Sequence, residues 1–232
     1  MTELTVGLLL FPTFEVLDMA GPIEVLNVLS IYMGKSLQLH VIAATLDPVS
    51  PGPIEPGTSS SFAGQQLYMP TNTLDNAPAL DLLIVPGGPG SGNKEALRPF
   101  LDFIQNVCKG YKGHPPAGYL FSVCSGSLLL AWAGVLDGKR ATTNKSFWDF
   151  ITSNGPKTHW VAKARWVTSG NVWTTSGVTA GIDGMLALVS SIWSEDTAEK
   201  VGATIEHNRA KASDDDPWAT HYGCQDVLPV TG

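Results

Sequence analysis

The fold is decided by residues 119–134, YLFSVCSGSLLLAWAG, in which an apolar strand runs into a turn at Cys124 and then into an apolar helix. A sharp strand-to-helix turn lifts its central side chain above the sheet, and the crowding favours small residues two positions to either side. Ser122 and Gly126 meet that requirement. The pattern has two interpretations: a thiol presented for chemistry, or a small core side chain at a turn, since cysteine is among the residue types most often buried.

Strands and helices alternate on both sides of this unit. Short apolar runs predict strands, and longer amphipathic or apolar segments predict helices. The predicted strands are 4–10, 37–45, 80–88 and 117–123, with two short ones at 159–167 and 171–177; the predicted helices are 21–34, 94–110, 125–138, 179–193 and 195–207. Residues 47–78 are rich in Pro, Gly, Ser and Thr and predict loops or a small antiparallel excursion. This order is typical of an α/β fold with a mostly parallel central sheet and helices on both faces.

Length and charge limit the classes of partner. The chain has 232 residues, of which 44% are apolar and 15% charged, so we expect one large domain with its own core. Its 14 basic and 21 acidic side chains give a net charge of −7, and the basic residues form no stripe. Nucleic acid and anionic membrane are therefore not expected as partners, and a small neutral or weakly polar ligand fits better.

The cysteines and the first residues indicate the compartment. Cys108, Cys124 and Cys224 are odd in number and follow no repeated spacing, which argues against a disulfide framework and against a zinc site. The opening segment MTELTVGLLLFP has no positive region and no cleavage site, so we interpret it as a first strand and not as a signal peptide. With no apolar run of about 18 residues, the sequence predicts a cytoplasmic protein.

Three predicted strands end in residues that could do chemistry together. Asp18 follows the first strand, Gly87 and Gly88 end the third, and Cys124 ends the fourth. Because ligands of parallel sheets bind at the carboxyl ends of the strands, we expect these residues to lie at one edge. Cys124 would be a nucleophile and Asp18 an acid. The bland alternatives are an N-cap for Asp18 and a tight turn for the glycines.

The position of Cys124 before a helix also predicts its electrostatics. Unpaired amides and the helix dipole favour the thiolate, so we expect the thiol pKa to fall below its usual value of about 8.5. The amide of Ser125, with one from Gly87 or Gly88, could bind an anion that develops on a substrate. No histidine adjoins Cys124 in the sequence.

Four segments together resemble the PfpI superfamily, also called class I glutamine-amidotransferase-like proteins, and within it the isonitrile hydratase branch. The resemblance extends from the first strand to about His207. The segments are LLFPTFEVLDMAGPIEVL, DLLIVPGG, SVCSGSLLLAWAGVLDGKRATT and TTSGVTAGIDGMLALV. Two departures stand out: Ser125 replaces the usual threonine of the hydratases, and Asn144 stands in ATTNKSFW where the family's ATTHW has histidine.

The resemblance implies a flavodoxin-like sandwich that forms a homodimer and needs neither a metal nor an organic cofactor. It implies that Cys124 is the nucleophile and Asp18 the acid beside it. We expect a single domain over residues 1–210 and a solvated, loosely held acidic tail over residues 211–232, which carries no helix-turn-helix domain. The absence of histidine directly after the cysteine argues against peptidase chemistry.

Three hypotheses follow for the activity. The first is addition of water to an isonitrile, through a thioimidate on Cys124, to give an N-substituted formamide. The second is a glyoxalase or deglycase that acts on 2-oxoaldehydes through a hemithioacetal, although such relatives have glutamate in place of Asp18 and a histidine near the cysteine. The third is a redox sensor without catalysis, in which Cys124 is oxidised to sulfenic or sulfinic acid.

Overall fold

The computed structural model describes residues 3–53 and 61–230, and the predicted loop of residues 47–78 lies partly outside this range. The strands are β1 (Leu4–Leu9), β2 (Leu37–Ala43), β3 (Asn72–Thr73), β4 (Leu82–Val85), β5 (Tyr119–Ser122), β6 (Arg140–Ala141), β7 (His159–Trp160), β8 (Trp166–Ser169) and β9 (Val172–Thr175). The helices are α1 (Val16–Met33), α2 (Arg98–Lys109), α3 (Gly126–Trp132), α4 (Trp148–Asn154), α5 (Ala180–Ile192), α6 (Glu195–Thr204) and α7 (Trp218–Tyr222).

Seven strands form one sheet in the order β3-β2-β1-β4-β5-β9-β8, and β6 pairs with β7 in a separate two-stranded sheet. Every pair in the large sheet is parallel except β8 with β9. One group of contacting helices contains α1, α5 and α6, and another contains α2, α3 and α4. The structure confirms the predicted flavodoxin-like α/β fold with helices on both faces.

The strand order places the site. β1 pairs with β2 on one side and β4 on the other, so the chain reverses its winding direction between β1 and β4. At such a switch point the loops after the strands diverge and leave a crevice at the carboxyl edge of the sheet. The loops that follow β1, β4 and β5 therefore meet where Asp18, Gly87 and Cys124 were predicted to converge.

Several predicted boundaries were wrong. α1 begins at Val16 and not near residue 21, so Pro22 lies inside the helix and not in its first turn. Because proline has no N–H, the carbonyl of Asp18 lacks its usual helical donor. α3 ends at Trp132 rather than at Gly138, and the strand predicted at residues 159–167 is two separate strands, β7 and β8.

α1 is apolar enough to resemble a membrane span. Within the described residues it is the helix that meets the length and composition of a span, with a mean hydropathy of 1.3 over Val16–Met33. In the fold, Val25 and Leu29 of α1 are fully buried, and the helix packs against α5. The apolar composition of α1 is accounted for by its place in the core.

Most of residues 211–230 are exposed, but several of them contact the rest of the fold. Val227 forms an antiparallel bridge with Trp160, and Asp226 accepts a hydrogen bond of 2.8 Å from the amide of Ala162. The carboxylate of Asp216 is buried and lies 3.3 Å from the Nζ of Lys145. The sequence shows the acidic run, but it does not show that one of its carboxylates, that of Asp216, pairs with the distant Lys145. The boundary at residue 210 stays a prediction.

Candidate active site

The predicted strand ends converge. The carboxylate Oδ2 of Asp18, in the first turn of α1, accepts a hydrogen bond of 2.8 Å from the amide of Gly87, which follows β4. A Cβ on Gly87 would lie within 2.6 Å of the amide nitrogen of Ser125, so only glycine permits this approach of the β4 loop to the turn after β5. Asp18, Gly87 and Ser125 are thus linked at the carboxyl edge of the sheet.

Cys124 occupies the strained turn that its neighbours predict. Its φ is +56°, a left-handed conformation that non-glycine residues adopt rarely. Its amide donates to the carbonyl of Ser176 at 2.9 Å, which ties the turn to the end of β9. Ser122 is fully buried, and a Cβ on Gly126 would collide with the carbonyl of Val85, which explains the small residues on both sides. Strain of this kind is typical of functional sites.

The sulfur of Cys124 is nearly buried, at 6% exposure for the residue, yet polar groups surround it. The side-chain amide Nδ2 of Asn144 donates to Sγ at 3.1 Å, and the backbone amide of Ser125 also donates to the sulfur. The Oδ1 of Asn144 accepts from the amide of Ser146 at 2.8 Å, from its hydroxyl at 2.6 Å and from the amide of Phe147 at 3.2 Å. These three donors fix which end of the Asn144 amide faces the thiol.

The carboxyl of Asp18 is protonated at neutral pH. Burial raises its pKa from 3.8 to about 8, with a smaller contribution from Glu15, and the hydrogen bond from Gly87 only partly opposes the shift. Asp18 is fully buried, and a side-chain hydrogen bond with Cys124 opposes a small part of the pKa shift. An uncharged carboxyl beside a thiol can deliver a proton to a bound molecule.

The thiol pKa moves in the direction opposite to the sequence prediction. Burial, with a smaller contribution from the neighbouring Asp18, raises the pKa of Cys124 to about 12, although hydrogen bonds from Ser125 and Asn144 partly oppose the shift. The prediction was wrong because desolvation of the thiolate outweighs the dipole of the seven-residue helix α3. At rest, the site therefore holds a thiol and a carboxylic acid, both uncharged.

The predicted anion-binding glycines have other tasks here. The amide of Gly87 is used by Asp18, and the amide of Gly88 donates to the hydroxyl of Ser125 at 3.0 Å. Ser91 donates to the same hydroxyl at 2.8 Å. Gly87 and Gly88 thus position Asp18 and Ser125, and the amide of Ser125 is the one that reaches the sulfur of Cys124.

The sequence shows Asn144 as a departure from the family pattern but does not show that it lies at the thiol. The segment ATTNKSFW has asparagine where the family's ATTHW has histidine, so a polar side chain is expected at this position. No histidine among the described residues hydrogen-bonds to Sγ; His207 instead contacts the carboxylate of Asp183 at 2.9 Å. Ser91, in the loop after β4, gave no signal in the sequence.

Several known proteins resemble this chain in sequence and in fold. A sequence model of the DJ-1/PfpI family matches residues 5–191. Isonitrile hydratase from Pseudomonas putida is 38% identical over 211 residues, which cover 91% of this chain and 82% of that protein. The HTH-type transcriptional regulator GbdR from Pseudomonas aeruginosa is 26% identical over 91% of this chain, which spans 53% of the regulator. Among solved structures, a THiJ/PfpI family protein from Pseudomonas syringae has a TM-score of 0.73 and 30% identity, over 90% of this chain and 77% of that one.

Proposed function

The chain belongs to the DJ-1/PfpI family, and from that premise we propose that it adds water to an isonitrile, R–N≡C, to give an N-substituted formamide. The observation that carries the proposal is the uncharged pair formed by the Asp18 carboxyl and the Cys124 thiol, with Asn144 on the sulfur. The terminal carbon of an isonitrile is a base as well as an electrophile, so its activation needs an acid and a nucleophile at the same atom.

In the first half of the reaction, Asp18 gives its proton to the isonitrile carbon while the sulfur of Cys124 bonds to that carbon. The thiol proton passes to the carboxylate that Asp18 has become. One C–H, one C–S and one new O–H bond form, while one O–H bond, the S–H bond and one N–C π bond break. The product is the thioimidate Cys124–S–CH=N–R with Asp18 protonated again, so neither residue carries a full charge for long.

In the second half, Asp18 protonates the imine nitrogen and its carboxylate then accepts a proton from water as the water oxygen bonds to the carbon. The tetrahedral adduct expels the sulfur and yields R–NH–CHO, and the hydroxyl proton returns to the thiol. The sum is one isonitrile and one water converted to one formamide. The sequence is redox-neutral and needs no metal or organic cofactor. Asn144 and the Ser125 amide stabilise charge on the leaving sulfur.

The test offers benzyl isocyanide to the protein and measures formamide production by mass spectrometry. We expect the wild type to produce N-benzylformamide and the Cys124→Ala variant to lose at least about a hundredfold in rate, because the covalent step is gone. Cys108→Ala is the matched control, since Cys108 is a half-buried free cysteine in α2. Undiminished turnover by Cys124→Ala, or no formamide from the wild type, would end the proposal.

The two alternatives receive less support. A redox sensor depends on a thiolate, and the raised pKa of Cys124 keeps the sulfur protonated at neutral pH. A glyoxalase would need a base to move a proton between the carbons of a hemithioacetal, and the side chain on the sulfur here is the amide of Asn144. Methylglyoxal offered in parallel, with lactate as the readout, separates this activity from hydration. A homodimer in the cytoplasm remains part of the proposal.

A further inference from the structure

A cavity of about 210 Å³ lies next to Asn144, the residue that donates to the sulfur of Cys124, although Cys124 and Asp18 do not themselves line it. Ser176, whose carbonyl accepts the amide of Cys124, also forms part of its wall. Trp218 and Tyr222 of the C-terminal segment line it as well. Asn144 and Ser176 thus border both Cys124 and the cavity, and we place the substituent of a molecule bonded to Sγ on this side.

Two cationic side chains, Lys145 and Arg165, line the cavity, and no acidic residue lines it in the described part of the chain. Both cations are ion-paired to buried carboxylates that do not line it, Lys145 to Asp216 and Arg165 to Asp183. Lys145 has no donor to spare: its Nζ pairs with Asp216 and hydrogen-bonds to the hydroxyl of Thr142 and to two carbonyls. Arg165 is thus the cation that remains available.

Arg165 is held in place and still has donors to offer. Its Nε lies 2.6 Å from the carboxylate of Asp183, and its Nη2 reaches the hydroxyl of Thr179 only at 3.4 Å. No described residue accepts a hydrogen bond from Nη1. Asp183 also accepts from His207 and from the amide of Ala210, so it is shared and does not saturate the guanidinium. A fixed guanidinium with free N–H groups is well suited to a planar anion.

The start of α5 adds further donors at the same place. Gly177, Val178 and Thr179 line the cavity, and no acceptor for their backbone amides occurs among the described residues. The hydroxyl of Ser176 is buried, with the residue 1% exposed, and likewise has no partner in the described part of the chain. Buried polar groups without partners are rare in folded proteins, and the start of a 13-residue helix favours negative charge.

We infer that the isonitrile this protein takes carries a carboxylate, which binds to Arg165 and to the amides at the start of α5 while its isonitrile carbon lies at Cys124. The inference rests on the proposed function, because it names the substrate class of the same site. It departs from the expectation of a neutral ligand, which rested on the net charge of the chain.

The experiment compares two probes that share the isocyanoacetyl group, sodium isocyanoacetate and ethyl isocyanoacetate. It measures the ratio of their kcat/KM values. For the wild type we expect the anion to be preferred roughly ten- to a hundredfold, as for a charged hydrogen-bonded contact. Arg165→Met should abolish the preference. Arg209→Met is the matched control, because Arg209 is buried and ion-paired to Glu195 and Glu199 and does not line the cavity.

Both substrates are measured on the same preparation, so partial unfolding of a variant cancels in the ratio. If Arg165→Met does not fold, Arg165→Lys keeps the charge but loses the fork and should still lower the ratio. A wild-type enzyme that hydrates the ester as well as the anion, or an Arg165 variant that keeps the preference, overturns this inference and leaves the hydratase proposal standing. If neither probe gives a formamide, this inference fails, and the proposed function fails with it only when benzyl isocyanide gives none either.

Discussion

At the residue scale, the site combines two groups that burial keeps uncharged. Asp18 and Cys124 both have raised pKa values because the interior disfavours their anions, and the charge of an ionised Asp18 would raise the pKa of Cys124 as well. A thiolate enzyme begins with the charge on sulfur, whereas this pair begins with protons on both atoms. The pair is suited to substrates that need protonation and nucleophilic attack in one step, and an isonitrile is such a substrate.

This pairing predicts an unusual pH dependence. Because the acid works only when protonated, kcat/KM for benzyl isocyanide should be constant from about pH 6 to 7 and fall as the pH rises through the Asp18 pKa of about 8. The measurement is a rate profile from pH 6 to 10 with a folded-state check at each point. A rate that instead rises through pH 8 to 9 would indicate a thiolate nucleophile and contradict the assignment of Asp18.

At the element scale, the turn between β5 and α3 positions the thiol in a backbone conformation that lowers the stability of the fold. Left-handed backbone at a residue with a Cβ costs about 1–2 kcal/mol, and Cys124 has φ +56°. The turn persists because the carbonyl of Cys124 accepts from Ser127 and Thr143 and its amide binds Ser176. The strained conformation is thus held by hydrogen bonds from three other residues and is not the intrinsic preference of Cys124.

The strain can be measured with two inactive variants. Cys124→Gly and Cys124→Ala both remove the sulfur, but only glycine adopts this φ without penalty. We expect Cys124→Gly to have the larger free energy of unfolding, by about 1 kcal/mol, in urea denaturation at pH 7. Equal stability, or a more stable alanine variant, would show that the turn holds no strain at this position.

At the scale of the whole molecule, the sequence predicted what local patterns determine. Alternating elements gave the α/β fold, and strand ends in a parallel sheet gave the meeting of Asp18, Gly87 and Cys124. The direction of the thiol pKa was predicted wrongly, because the surroundings of the sulfur include Asp18 and Asn144, which are distant from Cys124 in the sequence. Arg165 and Asp216 were missed as well, since their partners lie far away in the sequence.

Asp18 also links the site to the stability of the whole fold. Between its ordinary pKa of 3.8 and its folded pKa of about 8, the folded protein holds a proton that the unfolded chain releases. The free energy of unfolding therefore falls as the pH rises through that window, by an amount on the order of a few kcal/mol in total. A neutral isostere at this position escapes the loss.

The Asp18→Asn variant therefore tests the central claim most directly, through its rate of formamide production and its thermal stability at pH 8. Asparagine can still accept the amide of Gly87 through its carbonyl oxygen but delivers no acidic proton. We expect a rate at least about a hundredfold below that of the wild type, together with a melting temperature above that of the wild type. A variant that produces formamide at the wild-type rate would contradict the account.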